Sequence, residues 1–470
     1  MEPIALTAGE VAAVTAGRLA SGPPDWRVER ISIDSRTVAA GDLFIAIRGD
    51  RFDGHEFVGA ALAAGAAGAV VTRLPPGLER GTGRPDALIV EVSDTTRALQ
   101  DIAREVRRRS AAKVVAITGS AGKTTTKELT AEFLAAKYSV FRNQGNLNNH
   151  IGLPLSLLEL RHRPDVAVVE LGMNHPGEIS TLVGIAEPDV RVWTNVGDAH
   201  LGFFASAEAI AGAKGEILER ARPGALLVAN ADDPRVMSHA ARFEGRTITF
   251  GVSDRADVRA TDVDHRGLEG TEATVTTPRG RVRVKTPLLG SGNLLNVLAA
   301  TAVASEFGVA LDAIAERAAA MRPAPHRSEL LRLPGGITLI DDSYNSSPAA
   351  LKQSLATVAM ATGSARKIAI LGEMLELGAH APRLHRESGR AAAEAGLDFL
   401  IAVGGDAARQ LAEAAVGAGL AADHVAHVTN TIEAAELAVQ RVRPGDLVLV
   451  KGSRGVRTDV VVERLKVEFA

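Results

Sequence analysis

The sequence predicts an α/β protein of three domains: a small α/β domain, a central P-loop mononucleotide-binding domain on a largely parallel sheet, and a C-terminal Rossmann-like domain. Three observations carry this. The 470 residues exceed what one core usually holds, since domains run to about 100–200 residues. A strand, a glycine loop and a helix succeed one another within residues 114–136, the local order of a phosphate site. Short apolar strands alternate with helical stretches on both sides of that unit, the pattern of helix-covered parallel sheets.

Taken in order, residues 31–47 alternate strand-like pieces around the turn Ala39-Ala40-Gly41-Asp42, and a helix over about 56–64 follows. The longest apolar run, residues 57–71, contains three glycines and is short of the roughly 20 residues that cross a bilayer. It reads as a helix running into a strand. A helix through residue 109 ends in Arg107-Arg108-Arg109, which reads as a solvated terminus favoured by the helix dipole. The first domain is therefore residues 1–110.

In the second, residues 114–117 form a β-branched strand, residues 118–125 the loop, and residues 127–136 a helix. Buried strands are expected at 166–171, 190–195, 226–230 and 247–251, because their apolar runs lack alternation. Residues 273–285, around Pro278-Arg279-Gly280, read as an antiparallel hairpin. There Arg281 and Arg283 alternate with Val282 and Val284 as a half-exposed ribbon. Arg322-Pro323-Ala324-Pro325 stops the helix before it, so the central domain is 111–322 and the last 323–470. In the last, strands at 367–371, 399–403 and 447–450 alternate with helices as a doubly wound unit, whose ligands lie at the strands' carboxyl ends.

Lys plus Arg number 53 against 56 Asp plus Glu, a formal charge of −3, so a general nucleic-acid or anionic-membrane binder is disfavoured. The chain has no cysteine. That excludes disulfides, thiolate metal sites and cysteine nucleophiles, and leaves oxygen and imidazole as metal ligands. Glu2 and Glu10 precede the first basic residue, Arg18, so the start does not read as a secretory signal, and the cytoplasm is the expected compartment.

The amides of Gly119, Ser120, Ala121, Gly122, Lys123, Thr124 and Thr125 gather at a helix N-terminus, where phosphate oxygens are stabilised by N–H groups and the dipole. Lys123 would reach the β and γ phosphates, and the Thr124 hydroxyl would ligate magnesium. Ile117 stands where the full Walker pattern has glycine, so the match is to a shorter Gly-x-x-Gly-Lys-Thr form. Glu170 ends a strand beside this loop, as a ligand for a hard cation would, although a strand-end glutamate facing solvent fits the same text. His200 follows another strand, and Lys214 reads alone as an exposed helix lysine. Asn143-Gln144-Gly145-Asn146-Leu147-Asn148-Asn149 is dense in amides and points to a polar ligand, with turn formation as the competing reading. Asn293 and Asn296 share a helix face. Capping is the plain reading of Asn293, and adenine recognition the sharper one. Asp341-Asp342-Ser343-Tyr344-Asn345 sets two like charges side by side, which is costly unless something uses them.

With these pieces in order, the chain resembles the Mur ligase family. The likeness rests on residues 118–124, on Gly145-Asn146-Leu147-Asn148-Asn149-His150-Ile151-Gly152, on residues 170–179, and on Ala213-Lys214-Gly215-Glu216-Ile217. It extends to residues 341–345 and 371–378, and to Asp34-Ser35-Arg36 followed by Gly41-Asp42-Leu43-Phe44, which is similar to the family's UDP-sugar-binding signature. The resemblance implies an ATP-dependent, amide-forming ligase that joins D-Ala-D-Ala to UDP-N-acetylmuramoyl-tripeptide through an acyl phosphate. The neighbouring ligase that adds the third amino acid and a non-ligating P-loop ATPase are the alternatives. It implies two Mg²⁺ ions held by Thr124, Glu170, His200 and a carbamylated Lys214, with Lys123, Glu170, His200 and Lys214 as the catalytic set. It further implies ATP contacts from Asn296, Arg327 and Asp342, and substrate contacts from Ser35, Arg36, Asn146, Asn149, Asn174, Tyr344 and Asn345. A monomer without nucleic-acid or membrane partners is the expectation. Two positions depart from the family pattern: Gly292 replaces a histidine before the adenine helix, and His326 replaces a glycine before Arg327.

Overall fold

The computed structural model describes residues 2–49, 51–73, 87–198 and 201–470, and four sheets organise them. Near the start, Arg18–Ser21, Leu88–Glu91, Gly68–Val71, Leu43–Ile45 and Ile31–Ser32 form a five-stranded sheet in that order, antiparallel only at its first pair. Leu6–Thr7 pairs with Arg27–Val28 apart from it. The long apolar run resolves into the end of a 3-10 turn, Gly54–Phe57, the helix Val58–Ala63 and the strand Gly68–Val71.

The largest sheet has nine strands. From one edge they are Val140–Arg142, Val166–Glu170, Lys113–Thr118, Val190–Trp193, Leu226–Asn230, Arg246–Gly251, Val258–His265, Thr271–Thr277 and Gly280–Thr286. The first seven run parallel and the last two complete an antiparallel hairpin. Val114, Ala116, Ala167 and Val169 enter the core on one face, while Val115, Ile117, Val166 and Val168 enter the core on the other. Apolar side chains thus cover both faces, and each large aliphatic one so buried contributes about 1.5–3 kcal/mol.

The helix Thr95–Ser110 sends Leu99, Ile102 and Val106 into a core shared with the central sheet. Arg108 stays exposed, as a solvated terminus would, but Arg107 does not. Arg107 is buried and donates to the carbonyl of Ala186 at 2.8 Å and to Asp189 at 3.0 Å. Arg104, Arg108 and Arg222 converge on Glu187. The orphan carbonyls at the end of the helix Glu178–Ala186 draw Arg107 inward, while the other three, partly exposed, meet the Glu187 carboxylate.

The third large sheet runs Glu329–Leu333, Ile337–Asp342, Leu447–Lys451, Lys367–Gly372, Phe399–Val403, Val425–Val428, parallel except at its first pair. Its two edge strands and Val258–His265 escape the sequence reading, because half-buried strands carry polar or charged residues within their apolar pattern. Among the described residues, no helix is long and apolar enough to cross a membrane.

Candidate active site

A cavity of about 630 Å³ lies where the carboxyl ends of the nine-stranded and six-stranded sheets face each other. Ser120, Ala121, Gly122, Lys123, Thr124, Thr125, Asn146, Asn149, Glu170, Asn174, Asn296, Arg327, Asp342, Tyr344 and Asn345 all line it. Ser35 and Arg36 do not; Arg36 is exposed and donates to its neighbour Asp34 at 2.9 and 2.6 Å. His200 lies outside the described residues.

The loop is built around two glycines. Gly119 has φ +152°, and a Cβ there would meet the Thr194 hydroxyl at 1.9 Å; Gly122 has φ +80°, and a Cβ would meet Asn296 Oδ1 at 2.2 Å. Both positions therefore exclude a side chain. The helix begins at Lys123 and runs to Leu134, earlier than the expected residue 127, because left-handed Gly122 turns the chain directly into its first turn. That places the first-turn amides at the cavity. Asn195 braces the loop by accepting the N–H of Ala121 at 2.9 Å.

Glu170 is only 4% exposed, so it is not a solvated strand end. It accepts the Thr124 hydroxyl at 2.7 Å and the Asn148 amide at 2.8 Å, and its N–H reaches Asn143 Oδ1 at 3.0 Å. Burial pushes its carboxyl up, but the Lys123 ammonium and these hydrogen bonds outweigh that and hold it below the usual range. Lys123 donates to the carbonyl of Gly119 at 2.9 Å. Desolvation draws it down, with Glu170 opposing. Lys214 is 1% exposed, not a surface lysine, and donates to that same carbonyl at 3.1 Å from beneath the loop. Burial, then repulsion from Lys123, lowers it well below the ordinary lysine value.

The asparagine segment divides its work. Asn148 serves Glu170, whereas Asn149 accepts the N–H groups of Ile151 and Gly152, as the turn reading expects. Asn293 does not cap its helix. The helix starts at Gly290, and Asn293 instead donates to the carbonyl of Leu289 and accepts from the Asn296 amide. The first departure from the family pattern, Gly292, has a physical cause: a Cβ there would meet Gln353 Oε1 at 2.3 Å, so the glutamine holds that space.

The Asp341–Asp342 doublet is compensated within the protein. Asp341 accepts the Ser343 hydroxyl at 2.6 Å and faces His326, while Asp342 takes Lys451 at 2.6 Å and Ser354 at 2.8 Å. Sequence reading missed Lys451, although a lysine ending a buried apolar strand was the available signal. Arg327 lies over the Tyr344 ring, 4.1 Å from its centre. Among the described residues, no group of three or more His, Asp or Glu is placed to hold a metal. The Thr124 hydroxyl and Glu170 carboxylate nevertheless form an oxygen pair suited to a hard cation.

Three family models match the chain in succession: "Mur ligase family, catalytic domain" over residues 27–107, "Mur ligase middle domain" over 117–304, and "Mur ligase, glutamate ligase domain" over 326–454. The UDP-N-acetylmuramoyl-tripeptide–D-alanyl-D-alanine ligase of Escherichia coli (strain K12) is 34% identical over 465 residues, 98% of this chain and 99% of that one. A crystal structure of MurF from Acinetobacter baumannii superposes with a TM-score of 0.89 at 31% identity, covering 99% of this chain and 100% of that one. MurF ligase from Thermotoga maritima, in complex with ADP, gives 0.82 at 32% identity over 94% and 97% of the two chains. With the models falling in order on the three large sheets and a relative aligned almost end to end, the chain belongs to the Mur ligase family.

Proposed function

We propose that this chain is the ATP-dependent ligase that joins D-Ala-D-Ala to UDP-N-acetylmuramoyl-tripeptide in peptidoglycan synthesis. The observation that carries the reading is the meeting, in one cavity, of the phosphate loop with Arg327, Asp342 and Tyr344 from the far sheet. A relative that bears this reaction's name over nearly its whole length supports dipeptide addition over the preceding step.

In this reading residues 1–110 hold the UDP-sugar, with Ser35 and Arg36 in contact. Residues 111–322 hold the ATP phosphates, and residues 323–470 hold adenosine and the dipeptide. Asn296 and Asp342 meet adenine and ribose; Asn146, Asn149, Asn174, Tyr344 and Asn345 meet the peptide-bearing substrates. The tripeptide's terminal carboxylate attacks the γ-phosphorus and ADP leaves. The dipeptide amine then attacks the acyl carbon, phosphate leaves, and the amine releases a proton. Lys123, Arg327 and the loop amides stabilise charge on the transferring phosphoryl by position and electrostatics. Thr124 and Glu170, with His200, would hold Mg²⁺, which when bound neutralises phosphate charge. Burial disfavours the charged form of Lys214; were its neutral amine to add CO₂ and release a proton, the resulting carbamate would supply a further oxygen donor. Closure of the two sheets over the cavity keeps water from the acyl phosphate.

The test is product identity. ATP, Mg²⁺, the UDP-linked tripeptide and D-Ala-D-Ala should yield a nucleotide heavier by one dipeptide less water; an unchanged nucleotide contradicts the reading.

A further inference from the structure

Residue 326 holds the left-handed conformation, φ +62°, without being glycine, and Ser328 two residues on does the same at φ +55°. Such backbone is strained for residues with a Cβ and persists where neighbouring interactions fix it. Here the fixing groups are explicit. His326 Nδ1 lies 2.7 Å from Oδ2 of the buried Asp341, and the His326 carbonyl accepts the N–H of Tyr344 at 3.1 Å. On the other side, the Ser328 N–H donates to Asp342 Oδ1 at 3.1 Å. Arg327 is thus suspended between two anchors on consecutive carboxylates at the end of the strand Ile337–Asp342.

We propose that His326 is a positioning residue for Arg327: its ring, tied to Asp341, sets the turn that holds the guanidinium over Tyr344 and at the phosphate cavity. An arginine has several rotatable bonds, and a group acting on a transferring phosphoryl loses rate steeply when displaced. The left-handed turn alone would leave the linker from residue 321 free to pivot about the strand end. The imidazole–carboxylate contact holds the turn on one side, as the Ser328 bond to Asp342 does on the other, and the Tyr344 N–H bond sets the aromatic ring beneath Arg327.

The inference rests on the ligase reading for its readout, and the experiment separates the two. Ligation is measured for the wild type, His326→Gly, His326→Asn, Arg327→Ala and the His326→Gly/Arg327→Ala double variant, each with a thermal melt. His326→Gly relieves strain but removes the anchor. Its kcat should fall about ten- to a hundredfold, with KM for ATP and the tripeptide nucleotide nearly unchanged and the melt near that of the wild type. His326→Asn tolerates the left-handed backbone and can donate to Asp341, so it should recover most of the rate. The double variant should fall no further than Arg327→Ala. Wild-type kcat in His326→Gly alongside a loss in Arg327→Ala, or independent losses in the double variant, overturns the positioning role alone. Unchanged kcat in Arg327→Ala overturns the reading of the cavity and the positioning role with it.

Discussion

Lys123 and Lys214 direct their Nζ atoms at one acceptor, the carbonyl oxygen of Gly119, at 2.9 and 3.1 Å. Besides burial, Lys123 repels the Lys214 ammonium, and Glu170 opposes that repulsion. Burial, then repulsion from Lys123, drives Lys214, beneath the loop, well below the ordinary lysine value. The neutral amine is the form that adds CO₂. Lys214→Ala should therefore lose ligation almost entirely while keeping its fold. Short carboxylates such as acetate, supplying the missing oxygen donor, should restore part of the rate. Full activity without any added carboxylate would contradict this role.

Lys123 differs, being half-buried at the cavity and, among the described residues, hydrogen-bonded to a main-chain carbonyl of its own loop. Its removal leaves no hole in either core. Lys123→Ala should cut kcat by about a thousandfold or more, the scale of losing an arginine finger or an oxyanion donor. The thermal midpoint should shift by no more than a few degrees. A variant ligating at the wild-type rate removes the loop from the mechanism.

Lys451 and Asp342 form a buried pair in which the cation is all but inaccessible. Breaking such a pair from one side typically costs about 3–5 kcal/mol, because a carboxylate is left without its partner. Lys451→Met should lower stability on that scale in urea titrations. It should also raise KM for ATP, since Asp342 is the proposed ribose contact. A KM shift without a stability loss would contradict the pairing.

Glu187 gives the pH dependence of the joint between the helices Thr95–Ser110 and Glu178–Ala186. Burial pushes its carboxyl up, but Arg108, Arg104 and Arg222 outweigh burial and hold it below the usual glutamate value. A carboxylate lowered in the fold contributes stability fully above its unfolded pKa of about 4.3, and loses that contribution as pH falls through the lower folded value. Glu187→Gln should thus destabilise at pH 7 by about 1–3 kcal/mol, discounted because its arginines are partly solvated. The gap from the wild type should close below about pH 4. A gap independent of pH would assign Glu187 a packing role instead.

These features mark what the sequence makes legible. Strands such as Val166–Glu170 and Leu447–Lys451 are readable because burial on both faces imposes an unbroken apolar run. The phosphate loop is readable because its glycines answer a local backbone demand, a positive φ at Gly119 and Gly122 alike. Burial of a charged side chain has no such local signature. Lys214 looks like a surface lysine, and Arg107 like a helix-end cation, until the partners far along the chain are in place. The same holds for Asp341 and Asp342, whose adjacency is visible but whose compensating partners are not.

The most direct test of the account is phosphate release from ATP in the presence of UDP-N-acetylmuramoyl-tripeptide. Little release is expected with the nucleotide alone and rapid release once D-Ala-D-Ala is added. Silence with D-Ala-D-Ala but release with the UDP-linked dipeptide and a diamino acid would transfer the chain to the preceding step. Steady release regardless of acceptor would make it an ATPase that joins nothing.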